Sequence, residues 1–410
     1  MQFFETLNVR TAQGRCGLED VDSVTGLPCT VAGLVARVFG TPVVYSARHR
    51  DGGPSRWRKY GTYAPNPTGL AAPFAPLGET KATQCATQGG SDAASDARHV
   101  HLFPGQGDFR LTPLLRASGP LRRAAREVLE EVDQVSARHG LPLLAPWLLG
   151  ATPPSGRDLA KAPPGVMQLA QFGASLAVHR ALCERFGTPD AVVGVSFGEI
   201  AALTAAGAFE PAEGAEIAWE LGRILIGTCP GGLTLLGCGD RAACSLLSRA
   251  AAQDTAVACV NDDRETVVSG PVNQLQRVEK AAAGRGVEAV RLRLPFSSHH
   301  PALRRQSEEF TQAVRRHPAR PTRCMVVSAV ARRCYVPGED LAARLADCLV
   351  LPAHVPDAVT LAAAHLLPGQ ALRLYEAGTG SALSQNARRI LAGRPATVHA
   401  PLADLGFFSW

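Results

Sequence analysis

The stretch Ala191-Val192-Val193-Gly194-Val195-Ser196-Phe197-Gly198-Glu199 sets a serine between two glycines, after an apolar run and before an alanine-rich one. A hydroxyl on so sharp a bend can act as a nucleophile, because the glycines permit close backbone approach and the start of the next helix offers free N–H groups to an oxyanion. A small polar residue in a glycine turn is also a common structural device. The five-residue pattern alone leaves both readings open.

The elements that would position this serine are readable from hydrophobic periodicity. Residues 99–105 read as a strand entering a glycine turn, 166–187 as a long helix closed by Gly187, and 190–196 as a buried strand. Strand, turn and helix around Ser196 form the repeating unit of a parallel α/β sheet. Between about 231 and 295 the order changes to strand, helix, strand, strand, helix, strand, which reads as a ferredoxin-like unit inserted into the larger lobe. Residues 46–98 are polar and irregular, with the Gln, Ser, Gly and Asp content of a linker, so the chain divides into an N-terminal extension of unknown role, 1–98, and a folded domain, 99–410.

Composition narrows the function classes. The 410 residues are 46% hydrophobic, enough for a large core. A net charge of +6 comes from scattered arginines without interleaved aromatics, which argues against nucleic acid as partner. No secretory signal stands at the start, and the apolar run 29–45 is too short and interrupted to span a bilayer, so no membrane association is expected. Eleven cysteines without a CxxC pair imply reduced thiols and a cytoplasmic setting. Neither a metal site nor a bound cofactor is expected.

Read in order, the segments HLFPGQG, QLAQFGASLAV, GVSFGEIAAL, AAGAFEPAEGAEIAWELGRIL, VNDDRETVVSG, PFSSHHPAL and YEAGTGSAL resemble the malonyl-CoA:acyl-carrier-protein transacylase family, including polyketide synthase acyltransferase domains. The resemblance covers roughly residues 99–395. It implies an α/β-hydrolase-like parallel-sheet lobe carrying the small insert. It also implies that Ser196 carries an acyl ester, that His299 deprotonates it, and that Gln106 with the Phe197 N–H forms the oxyanion hole. Gln168 matches a buried glutamine flanking the site, Asn261 one near the pantetheine channel, and Cys348 a position whose backbone carbonyl serves the histidine. The implied substrates are acyl-CoA or 4'-phosphopantetheine thioesters, and the implied partner is an acyl carrier protein.

Three departures bear on specificity. Val195 replaces a polar residue beside the nucleophile. Leu221 stands, in an ungapped alignment, where the family supplies an arginine to the extender carboxylate, and the nearby Arg223 lies two residues on, turned by roughly 200° around a helix. Ser297 and Ser298, in FSSH where the family often reads HAFH or YASH, put small serines at the pocket floor and imply a roomier pocket, which Phe197 offsets. A guanidinium clamps a carboxylate through two parallel hydrogen bonds that leucine cannot make, so a monocarboxylic acyl group is expected rather than malonyl. The alternative is an editing hydrolase of the same fold, in which water resolves the ester.

Overall fold

The computed structural model describes residues 97–408 apart from 108, 117, 155–157, 160, 365–370 and 405, so the expectation for residues 1–96 lies outside the described residues. In chain order the first elements are β1 (Arg98–Phe103), α1 (Leu111–Leu115), α2 (Gly119–Arg138), α3 (Leu144–Leu149), α4 (Val166–Phe186), β2 (Ala191–Gly194), α5 (Gly198–Ala205) and α6 (Pro211–Thr228). There follow β3 (Gly232–Leu236), α7 (Asp240–Arg249), β4 (Ala256–Val260), β5 (Thr266–Gly270), α8 (Val272–Ala283) and β6 (Ala289–Arg291). The last part holds α9 (Arg304–Val314), β7 (Met325–Ser328), β8 (Arg333–Cys334), α10 (Leu341–Val350), β9 (Ala353–His354), α11 (Val355–Ala364), β10 (Leu372–Glu376), α12 (Ala382–Ile390) and β11 (Ala396–His399).

Short, wholly apolar runs suit a parallel sheet, because helices cover both of its faces. Every residue of β2 is buried. Six strands assemble in the order β11-β10-β1-β2-β7-β8, parallel throughout except for the antiparallel edge strand β8. Helix α4 is buried on nearly all sides and packs between α2 and α6, so its apolar residues show no single stripe. Gly187, at φ 81°, ends it as the periodicity predicts.

The stretch 231–295 folds in the element order read from sequence. Its strands form an antiparallel array β6-β3-β5-β4 with a hydrophobic cluster of its own around Leu236, Val257, Val268, Leu275 and Val278. The sheet also has a fifth strand, β9, paired parallel to β4. Two residues are too few to show an alternation, so periodicity does not mark it. No helix among the described residues is long and apolar enough to cross a membrane.

Candidate active site

Ser196 sits just past the end of β2 with φ 55°, a left-handed conformation that costs an L-residue energy and is held by its surroundings. Gly198 shows how tight those surroundings are. A Cβ there would lie 2.2 Å from the Phe103 carbonyl oxygen, so only glycine lets α5 begin against the end of β1. The Val195 N–H donates to that same carbonyl at 3.1 Å. The turn after β1 is equally close, since a Cβ on Gly105 would stand 3.5 Å from the Ser196 Cβ.

His299 approaches from the segment before α9, also with a positive φ of 53°. Its Nε2 lies 2.7 Å from Ser196 Oγ, and its Nδ1 donates to the Leu351 carbonyl at 2.6 Å. That second bond fixes the tautomer and leaves the Nε2 lone pair facing the serine hydroxyl. Cys348 does not fill the place expected for it: its carbonyl accepts the His299 backbone N–H at 3.2 Å, and the ring is served one helical turn later. Both carbonyls lie at the C-terminal end of α10, where the helix dipole favours positive charge. Burial pushes the His299 imidazolium down to about 4, against the opposing pull of the Leu351 carbonyl. The ring is therefore neutral at physiological pH, the state in which it can accept a proton.

The N–H groups of Phe197 and Gln106 have no acceptor among the described residues. The Gln106 side chain is held by Gln168, whose Nε2 donates to Gln106 Oε1 at 3.1 Å, while Gln171 Nε2 donates to the Gly105 carbonyl at 2.9 Å. Two glutamines one turn apart on α4 thus brace the glycine turn beside the serine. Gln168 also packs against Gly222, where a Cβ would come within 2.9 Å of its carboxamide carbon.

Glu199 has no role in the sequence reading, yet it organises this corner. It is fully buried in the first turn of α5, accepting from Ser328 Oγ at 2.8 Å, from the Val330 N–H at 3.2 Å and from the Tyr335 hydroxyl. Burial raises its carboxyl to about 7, against those hydrogen bonds. The available signal was its place in the GVSFGE segment.

Leu221 and Phe197 are both buried, as is Val195. Arg223 does not approach the site: its guanidinium pairs with Glu220 at 2.8 Å and Glu309 at 2.7 Å. The small serines do not simply enlarge a pocket. Ser297 Oγ donates toward the Pro230 and Gly270 carbonyls at 3.2 and 3.4 Å, knitting the entry to β3, and half-buried Ser298 uses its N–H on Ser269 Oγ. Asn261 lies at the end of β4, its side chain accepting from Cys259 Sγ at 3.2 Å, and has no hydrogen bond to Ser196 or His299.

The family model for acyl transferase domains matches residues 160–366, just over half of the chain. A malonyl-CoA:acyl carrier protein transacylase from Xanthomonas oryzae superposes over 77% of this chain and 97% of its own with a TM-score of 0.65 at 25% identity. The acyltransferase domain from module 8 of the salinomycin polyketide synthase covers 74% of this chain and 70% of its own, with a TM-score of 0.64 at 25% identity. The conidial pigment polyketide synthase PfmaE of Pestalotiopsis fici is 30% identical over 195 residues, 46% of this chain. The chain spans about a tenth of the length of the curated relatives it matches.

Proposed function

Since the chain belongs to the acyl transferase domain family, we propose that it moves an acyl group between CoA or carrier-protein thioesters through an ester on Ser196. The observation that carries this reading is the 2.7 Å contact between Ser196 Oγ and the neutral, carbonyl-anchored His299. His299 Nε2 takes the hydroxyl proton as Oγ bonds to the thioester carbonyl carbon. The developing oxyanion is met by the Phe197 and Gln106 N–H groups, for which one donor is worth about 3 to 4 kcal/mol of barrier in well-studied hydrolases. The C–S bond then breaks, and the imidazolium returns its proton to the departing thiolate. The same steps in reverse, with the pantetheine thiol of a carrier protein as nucleophile, release the acyl group.

The proposed acyl group is monocarboxylic. Leu221 offers no cation, and Arg223 is occupied by two glutamates; a buried, unpaired carboxylate costs several kcal/mol. In this reading Gln168, which holds Gln106, and Ser298 line the substrate's approach, and Asn261 serves the pantetheine arm. The sheet order is compatible with an α/β-hydrolase-like large lobe and a ferredoxin-like insert, and the free thiols of the described cysteines suit the cytoplasmic setting proposed here. The hydrolase alternative draws no support from the relatives cited above, which are named as synthases, transferases or transacylases.

Intact-protein mass spectrometry after incubation with a panel of acyl thioesters, with and without carrier protein, tests the reading. The expected result is a single acyl adduct that carrier protein discharges with formation of acyl carrier. An adduct that disappears at the same rate without any thiol acceptor would establish hydrolysis instead.

A further inference from the structure

A second group of chemically capable side chains lies on β1 and α4, outside the serine site. His101 Nδ1 and His179 Nδ1 are 2.9 Å apart, and Cys183 Sγ lies 3.6 Å from Nε2 and 3.9 Å from Nδ1 of His179. One donor atom from each of the three residues falls within 4.8 Å of the others. Two ring nitrogens at that separation share a single proton, so at least one ring presents a lone pair. The His101 ring is wholly buried, and its Nε2 has no hydrogen-bond partner. Whichever tautomer it adopts, one ring nitrogen is left unserved, which is costly in a protein interior.

We propose that His101, His179 and Cys183 form a site for a zinc ion. Zinc takes imidazole nitrogen at about 2.0 Å and thiolate sulfur at about 2.3 Å in a tetrahedron, which requires donors roughly 3.3 to 3.6 Å apart. The two Nδ1 atoms, at 2.9 Å, have to part by about 0.4 Å, and the sulfur, at 3.9 Å from His179 Nδ1, has to approach by a similar amount. Two neutral nitrogens and one soft sulfur match zinc better than magnesium or calcium, which prefer oxygen. His179 and Cys183 are four residues apart on one face of α4, so a helix already aligns them. Binding converts the Cys183 thiol to a thiolate and releases its proton to solvent. It also displaces the proton lying between the two Nδ1 atoms to Nε2 of the ring that held it, so that both rings are then protonated at Nε2.

Two of the three donors, His179 and Cys183, border a cavity of about 200 Å³ that Thr188, Ala205, Arg323 and Cys324 also line. Cys183 and Cys324 are both partly exposed, so an ion has a path inward. A zinc here fastens β1 to α4. The strand on one side leads in two residues to Phe103, whose carbonyl holds the Val195 N–H, and the helix on the other carries Gln168 and Gln171, which brace the glycine turn. The ion would thus stiffen the frame of the serine site without touching substrate.

The test uses the full chain, stripped with a chelator and titrated with cobalt(II) as a spectroscopic stand-in and with zinc as competitor. One cobalt per chain is expected at this site, with a sulfur-to-metal charge-transfer band that zinc abolishes, and zinc should raise the thermal unfolding midpoint. Cys183→Ser and Cys183→Ala should remove the charge-transfer band. His179→Gln should weaken binding by more than the ~10- to 100-fold typical of losing a supporting partner. Cys244→Ser, which alters an exposed thiol elsewhere, should change nothing. The Cys183→Ala variant, with a strong helix former, covers the case in which serine unfolds α4. Cobalt binding that is unchanged in either folded Cys183 variant, or a zinc-free wild type as stable as the loaded one, would overturn the proposal.

Discussion

The Ser196–His299 contact and the His101–His179 contact are both short hydrogen bonds to a buried imidazole, at 2.7 and 2.9 Å, and they differ in what meets the other ring nitrogen. Nδ1 of His299 has the Leu351 carbonyl; Nε2 of His101 has nothing. A ring with its second nitrogen satisfied is oriented and can hand a proton back and forth. A ring without one is held only through its first nitrogen, here the Nδ1 that faces His179 and that the proposed ion would take. The same contrast separates Arg223 and Glu199, whose partners lie within the chain, from Leu221, a buried apolar residue standing where the resemblance implies an arginine.

The largest effects are expected where the finished pair is broken. Ser196→Ala should abolish the covalent adduct and lower kcat/KM by at least about 10³-fold. His299→Ala should slow acylation by about 10²- to 10⁴-fold, as for other general bases. Stopped-flow or quenched acylation with intact-mass detection measures both; an adduct that persists on Ser196→Ala would remove the assignment.

The proposed role of Leu221 comes next. Wild type should prefer acetyl, propionyl or longer monoacyl thioesters to malonyl by about 100-fold, if the lost clamp is worth roughly 3 kcal/mol. Leu221→Arg should narrow or reverse that ratio in direct competition. Equal loading of malonyl and acetyl by wild type would show that another cation reaches the carboxylate.

Glu199 provides a comparison in stability. Its carboxyl is raised by burial from its ordinary value to about 7, so the folded state binds its proton more tightly than the unfolded state. That contribution is fully present below about pH 4.5 and is lost as pH rises to about 7, by on the order of 3 kcal/mol. Glu199→Gln should therefore gain on wild type between pH 4.5 and 7.5 in urea unfolding. Parallel curves would mean the carboxyl titrates normally.

His299 is shifted the other way, which appears in activity rather than stability. With the free base persisting down to about pH 4, the acid limb of kcat/KM should fall well below the ordinary histidine value of 6.5. At pH 5.5 the rate should stay close to its plateau, whereas a base titrating near 6.5 would lose about tenfold. The smallest effect is expected at Arg223, whose exposed ion pairs are worth less than about 1 kcal/mol. Arg223→Ala should leave acyl preference unchanged, and a shift toward acetyl in that variant would identify Arg223 as the carboxylate's partner.

Much of this arrangement is legible in the sequence. The elbow at Ser196 and the inserted stretch 231–295 follow from local periodicity and glycine placement, signals that lie within a few residues of each other. The partner of His299 did not, because a backbone carbonyl is the same on every residue; Leu351 could not be told from Cys348 by side chain. Glu199 was visible only as a letter in a segment, since its worth depends on Ser328 and Tyr335 more than a hundred positions away. The cluster at His101 was hidden for a similar reason. Its two histidines lie on separate elements, and only the four-residue spacing of His179 and Cys183 belongs to one helix.

The short strand β9 ties two functions to one piece of chain. Leu351, which anchors the base, stands two residues before Ala353, which pairs with Cys259 on the small sheet, and His300 Nε2 donates to the Asp254 carbonyl just before β4 at 2.9 Å. The histidine loop is thus tethered to the small sheet from both sides. The base, its carbonyl anchor and the edge of the small sheet are therefore one connected piece of backbone, so loosening β9 from β4 would be felt at the His299 ring before it reached Ser196.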